Sequence, residues 1–330
     1  MNNSEKKRRS LLMGAAIVSV GGWLPSATRA QDWPSRPIHI LVGYPPGGTA
    51  DNYARLIAAH YQAKLGQNVI VENRPGGVGM IAMAALAKSP PDGYTLALSP
   101  TSVYWGNRAF YKNMPFDPDA DVQPFSLLPA GPTIMAVPAS TNITNYKDFI
   151  SWAKQNPASA GTYAQGSTAH IMIDAINRSE GTKIVPIHYK GEAPMWVDTA
   201  SGVLSAGFGT YTSFAPLFEK GLLTPIAVGT TTRSPKLPDT PTLVEQGLTA
   251  RVFSLDPWTS MVAPAKTPEA ILTRLAELTR DFADSPRGVI FREQYGIAQK
   301  PTLYQETLAR AKSEAPVWIE MAKQLGIEPQ

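Results

Sequence analysis

The sequence predicts an α/β protein of two lobes with a ligand cleft between them. Short apolar, β-rich runs alternate with helix-length segments from about residue 37 onward. Turns rich in glycine and proline punctuate that alternation, and the pattern restarts near Pro132. A chain of 330 residues is too long for one small core and suits two α/β units.

The first unit begins with an apolar run over 37–44, read as a strand, after which Pro45-Pro46-Gly47-Gly48 turns the chain. Thr49 or Asp51 caps a helix through about Leu65, which Gly66 stops. Residues 68–72 form a second strand, 74–79 a second glycine-rich loop, 80–88 a short helix and 94–98 a third strand ending at Ser99-Pro100-Thr101. This is β-α-β-α-β with parallel strands buried on both faces, in the order 2-1-3.

In the second unit, strands are expected over 134–137, 162–164, 183–189, 203–208 and 224–228. The helices lie over 146–155, 169–177, 193–199 and 214–219. Beyond Trp258 the pattern is mainly helical, over 268–283, 287–295 and 303–325. The expected division is 31–130 for the first part of lobe one, 131–252 for lobe two and 253–330 for helices that complete lobe one. Two crossovers, near 128–132 and 251–258, join them, and strand ends and helix starts face the cleft.

Residues 1–30 read as an export signal: a charged start, an apolar stretch from Leu11 to about Leu24 and small residues ending at Ala30. The stretch is shorter than the roughly 20 residues a membrane span needs. Arg8-Arg9-Ser10-Leu11-Leu12 fits a twin-arginine signal, and an ordinary secretion signal stays open beside it. Removing the five cations and one acid of this segment leaves 25 of each sign, so the mature chain is neutral. No basic stripe remains to suggest nucleic acid as a partner. The absence of cysteine rules out disulfides, thiol catalysis and thiolate metal sites. The four histidines have no metal-ligand spacing, so no cofactor or metal is expected.

The strongest local signal is Tyr44-Pro45-Pro46-Gly47-Gly48-Thr49-Ala50-Asp51, between a strand and a helix. Free N–H groups and the helix dipole there favour an anion. The segment lacks both the phosphate-loop ending and the dinucleotide glycine spacing, so a carboxylate fits better than a nucleotide. A sharp turn capped by Asp51 explains the same residues, and both readings stay open. Thr101 leaves the neighbouring strand at the point where the strand order reverses. In the second unit Gln165-Gly166-Ser167-Thr168 opens a helix and offers hydroxyls and main-chain donors to the ligand's other end. His170 reads as a cap or core residue, because no triad order surrounds it. Tyr189, Gly191, Gly209 and Thr210 lie at later strand ends, as further candidates for the cleft wall.

Four motifs occur in one order: Pro46-Gly47-Gly48-Thr49-Ala50-Asp51, Val71-Glu72-Asn73-Arg74-Pro75-Gly76-Gly77, Pro91-Asp92-Gly93-Tyr94-Thr95-Leu96 and His188-Tyr189-Lys190-Gly191. With MPFDPDADVQPFSLL and RSPKLPDTPTLVEQGL, they make the chain resemble the Bug family, the periplasmic receptors of tripartite tricarboxylate transporters, over nearly all of 31–330. The resemblance implies a type II periplasmic-binding-protein fold. Its two lobes close without catalysis on a small organic acid and deliver it to integral membrane subunits. It carries ligand contacts onto Tyr44, Gly47, Gly48, Thr49, Asp51 and Thr101 in lobe one. In lobe two these are Gln165, Gly166, Ser167 and Thr168, with Tyr189 and Gly191 nearby. A monomer is the default.

The chain departs from the family pattern twice. The loop at 163–170 is about three residues short, and Gly209 stands where an acid usually follows the strand's Phe. The lost acid argues against an amino-acid ligand, and the extra room favours a bulky dicarboxylate, an aromatic one included. An exported hydrolase using the same cleft and a ligand sensor for a signalling protein are the competing readings.

Overall fold

A computed structural model describes residues 33–47, 49–189 and 191–329, and the expected export signal at 1–30 lies outside them. The chain enters at β1 (Ile38–Val42) and continues through α1 (Thr49–Leu65), β2 (Val69–Asn73), α2 (Met80–Ala87) and β3 (Thr95–Pro100). Strand β1 pairs in parallel with both β2 and β3, as expected for the order 2-1-3. Helix α1 ends where Gly66 turns to φ +67°, the left-handed conformation that closes helices without a Cβ penalty.

Strand β4 (Val122–Pro129) then leads out of the first sheet. The second sheet is built from β5 (Thr133–Pro138), β6 (Ser159–Thr162), β7 (Val185–His188), β8 (Ala206–Thr210) and β9 (Leu223–Val228). Between its strands lie α3 (Tyr146–Ala153), α4 (Thr168–Glu180), α5 (Glu192–Ala200) and α6 (Tyr211–Phe218). The chain returns through β10 (Trp258–Pro264) and finishes with α7 (Glu269–Asp284), α8 (Pro286–Tyr295) and α9 (Tyr304–Lys323).

The two sheets have five strands each, in the orders β2-β1-β3-β10-β4 and β7-β6-β8-β5-β9. Large side chains such as Phe125, Phe149, Trp196 and Phe208 are fully buried around them, each burial contributing about 1.5–3 kcal/mol.

Two strands, β4 and β10, were not expected. The return segment, read as mainly helical, opens with β10, which lies between β3 and the edge strand β4 and pairs antiparallel with both. All seven of its residues are buried, so it has no alternation of polar and apolar residues to mark it. Strand β6 runs over Ser159–Thr162, ahead of the expected 162–164, and β8 over Ala206–Thr210, behind the expected 203–208. Small residues, Ala160 and Gly161 in β6 and Gly207 and Gly209 in β8, hide both strands from a hydrophobicity pattern.

The crossing strands stay paired up to the lobe boundary. Trp258 faces Pro129 in the ladder, and the Ala130 N–H donates to the Pro257 carbonyl at 3.1 Å. Trp258 is buried at the crossover: its indole N–H donates to Glu314 on α9 at 3.0 Å, and the Arg310 guanidinium lies 5.0 Å from its ring centroid.

Candidate ligand-binding site

In lobe one the loop after β1 closes on itself. The Gly47 N–H donates to Oδ2 of Asp51 at 2.9 Å, which also takes Nε of Arg55 at 2.9 Å. Asn73, at the end of β2, donates to Oδ1 of Asp51 at 2.9 Å and to the Tyr44 carbonyl at 3.0 Å. Asp51 is 2% exposed. Burial pushes its carboxyl up, but hydrogen bonds from Arg55, Gly47 and Asn73 outweigh it and leave the group below the usual carboxylate range.

This revises two expectations. The Gly47 N–H is spent on Asp51, and the Asp51 carboxylate organises the loop with both oxygens occupied. The main-chain donors that helix geometry leaves without an intrahelical acceptor are those of the first turn of α1, at Thr49 and Ala50. Gly48 lies outside the described residues.

The loop reaches the second glycine-rich turn. A Cβ on Gly43 would lie 2.6 Å from Cα of Gly79, so the two backbones touch and Gly43 can be nothing larger. The Tyr44 hydroxyl sits beside the same turn, 3.5 Å from where a Cβ of Gly79 would be. Burial pushes the Tyr44 phenol far above its ordinary value, and Tyr163 of lobe two adds to the effect. The Thr101 hydroxyl, expected to meet the ligand, donates instead to the Trp258 carbonyl at 3.2 Å and ties the end of β3 to the crossover.

Lobe two repeats the device. The Gly166 N–H donates to Nδ1 of His170 at 3.1 Å, and the Ser167 hydroxyl caps α4 by accepting the His170 N–H at 3.3 Å. His170, read as a cap or core residue, is buried in the first turn of α4, where its Nδ1 accepts the Gly166 N–H. Its ring lies 4.5 Å from that of His188, and burial, helped by His188, pushes it down to about 4. Neither contact is the hydroxyl–imidazole pair that nucleophilic catalysis uses.

Gly166 also meets lobe one. A Cβ there would lie 2.2 Å from the Phe110 ring, and its φ of +72° is left-handed, so glycine is required twice over. The exposed Gln165 amide is the loop's outward-facing polar group.

Three further candidates have internal partners. The Tyr189 hydroxyl donates to Asp198 at 2.6 Å. The Gly191 N–H donates to the Tyr163 carbonyl at 3.2 Å, while the space around its Cα is open. Thr210 donates both its N–H and its hydroxyl to Oε2 of Glu192, at 2.9 and 2.7 Å, and Ser213 donates to the same oxygen.

Two residues that sequence reasoning missed stand out. Glu192 stands beside Gly209: its Oε2 lies 3.0 Å from the point a Cβ of Gly209 would occupy. A carboxylate therefore stands beside Gly209, so the lack of an acid at Gly209 itself does not argue against an amino-acid ligand. The second is Tyr163, half-buried just after β6, whose carbonyl accepts the Gly191 N–H at 3.2 Å. Burial and the neighbouring Glu192 push that phenol up to about 12, so it keeps its proton. A tyrosine ending a strand just before the loop was the available signal.

Residues 53–326 match the model of the tripartite tricarboxylate transporter family receptor. BugT of Bordetella pertussis is 32% identical over 267 residues, 80% of this chain and 81% of that protein. A UPF0065 protein of Pseudomonas sp., from a tcbD-tcbE intergenic region, is 30% identical over 324 residues, 95% of this chain and 93% of its own. Among solved structures, R. palustris Rpa4515 with adipate superposes with a TM-score of 0.81 at 33% identity, covering 91% of this chain and all of that one. Periplasmic binding protein BugD gives 0.76 at 27%, covering 90% and 100%. The two-lobed fold, the match over most of the chain and these relatives together show that the chain belongs to the Bug family of tripartite tricarboxylate transporter receptors.

Proposed function

We propose that this receptor captures an organic dicarboxylate between its lobes, without transforming it, and hands it to the integral membrane subunits of a tripartite tricarboxylate-type transporter. One observation carries the reading: in each lobe the loop after a strand is tied to the first turn of the helix that follows, Gly47 to Asp51 and Gly166 to His170, so that two pre-shaped helix starts are available to an acid. Adipate in the Rpa4515 structure supports the ligand class, and the family role supports the membrane partners. We place the lobes at 31–130 with 253–330 and at 131–252, and the export signal at 1–30 directs the chain to the periplasm.

The mechanism is capture by closure. A carboxylate meets the positive end of the α1 dipole and its free N–H groups, each such hydrogen bond contributing about 1.5–3 kcal/mol. Bridging both lobes then stabilises the closed form over the open one, since only the closed form makes both sets of contacts.

A thermal-shift series with mono-, di- and tricarboxylates, aliphatic and aromatic, tests the reading. A ligand at a hundredfold excess over its Kd adds about 2.7 kcal/mol to native stability. A clear rise in Tm with at least one dicarboxylate is expected. A flat series, or chemical turnover of a bound acid, would defeat the proposal.

A further inference from the structure

Given capture by closure, we propose that Glu314 is a positioning residue for ligand binding: it holds Trp258 and, through Trp258, both crossovers and the end of β3. Glu314 is a buried charge that the binding mechanism does not use. It lies on α9, 8% exposed, with its two oxygens divided between two partners. Oε2 accepts the Trp258 indole N–H at 3.0 Å, and Oε1 accepts Nη1 of Arg310, one turn earlier on α9, at 2.9 Å. The Arg310 guanidinium also covers the indole ring, 5.0 Å from its centroid. A carboxylate taken out of water and paired on both oxygens is costly to disturb, so it fixes the geometry of what it holds.

Trp258 is where several parts of lobe one meet. It pairs with Pro129 in the ladder, and its carbonyl accepts the Thr101 hydroxyl at 3.2 Å. The next residue, Thr259, faces Leu128 of β4 on one side and Pro100 of β3 on the other. Indole, carbonyl and ladder thus tie α9, β3 and β4 to one place. Toward lobe two, the Ala130 N–H bonds to Pro257, and then Gly131, at φ +83°, and Pro132, which has no N–H, stand outside the ladder. The grip of Glu314 therefore keeps the crossovers with lobe one as far as Ala130 and leaves the bend to Gly131 and Pro132. A loosened Trp258 lets the crossovers and the end of β3 drift together. Fewer molecules are then ready to close, and apparent affinity falls although no ligand contact is lost.

Two measurements on wild type, Glu314→Ala, Glu314→Gln, Trp258→Phe and the Glu314→Ala/Trp258→Phe pair test this: calorimetric titration with adipate, and amide hydrogen exchange of the ligand-free chain. Glu314→Ala is expected to weaken adipate about fivefold or more and to speed exchange of the Ala130 N–H about tenfold or more. Glu314→Gln keeps an acceptor for the indole and should stay within about twofold of wild type in both. Trp258→Phe keeps a ring and removes the N–H, so it should reproduce Glu314→Ala, and joining the two should add less than about twofold. A lower Tm with unchanged affinity and unchanged Ala130 exchange, a Gln variant as damaged as the Ala one, or additive effects in the pair would overturn the positioning role. If Glu314→Ala does not fold, Trp258→Phe decides by the same two measurements. If wild type does not bind adipate, that counts against the ligand class proposed above and not against Glu314, whose role the Ala130 exchange of the ligand-free chain decides.

Discussion

Gly166 donates its N–H to Nδ1 of His170, four residues ahead at 3.1 Å, and in the other lobe Gly47 does the same to the Asp51 carboxylate at 2.9 Å. Each lobe thus ties the loop after a strand to the first turn of the following helix. The loops are shaped before any ligand arrives, so little ordering cost remains for binding.

Asp51→Ala should cost about 2 kcal/mol or more, because it leaves the Gly47 N–H and the Asn73 amide without their acceptor. Arg55 is half exposed and regains water, which limits the loss. Urea denaturation measures it. A midpoint equal to wild type would mean that the carboxylate does not organise the loop.

His170 makes stability depend on pH. Its pKa is about 4 in the folded chain against an ordinary value near 6.5. Between those values the unfolded chain holds a proton that the folded chain does not. Stability therefore falls as pH drops from about 6.5 to 4, by up to about 1.4 kcal/mol per unit, and this contribution levels off below 4. His170→Asn, which keeps an acceptor near Gly166, should flatten that slope in denaturation curves taken across the window. An unaltered slope would assign the titration to other groups.

Gly209→Asp should destabilise the chain, since its Cβ would come within 3.0 Å of both Glu192 Oε2 and Trp196 Nε1, and the new carboxylate would face an existing one. Adding Glu192→Ala should restore much of the lost Tm. Equal melting of the single and double variants would show that the two acids do not share one place.

Much of the fold was legible because strong local signals agreed. The apolar run before Gly47 gave β1, and Gly66 ended α1 where expected. Strand β4 was hidden by Pro124 and Pro129 within its own span, and β10 by burial along its whole length. At the site, the sequence located the loops but not the direction of their donors. A Gly-Gly-Thr-Ala-Asp segment is equally consistent with an N–H aimed at an anion and one aimed back at its own aspartate. Tyr163 and Glu192 could be recognised only after β6, α4 and α5 had been brought together.

The antiparallel contact of Trp258 with Pro129, extended by Ala130 and Pro257, makes the two interlobe connections one ribbon. A pair of independent tethers would permit sliding and twisting; a hydrogen-bonded ribbon flexes easily only across its flat face. For the closure proposed above, the ribbon leaves one easy direction of swing. Phe110 rests against Gly166 in this structure, the contact that such a swing would remake.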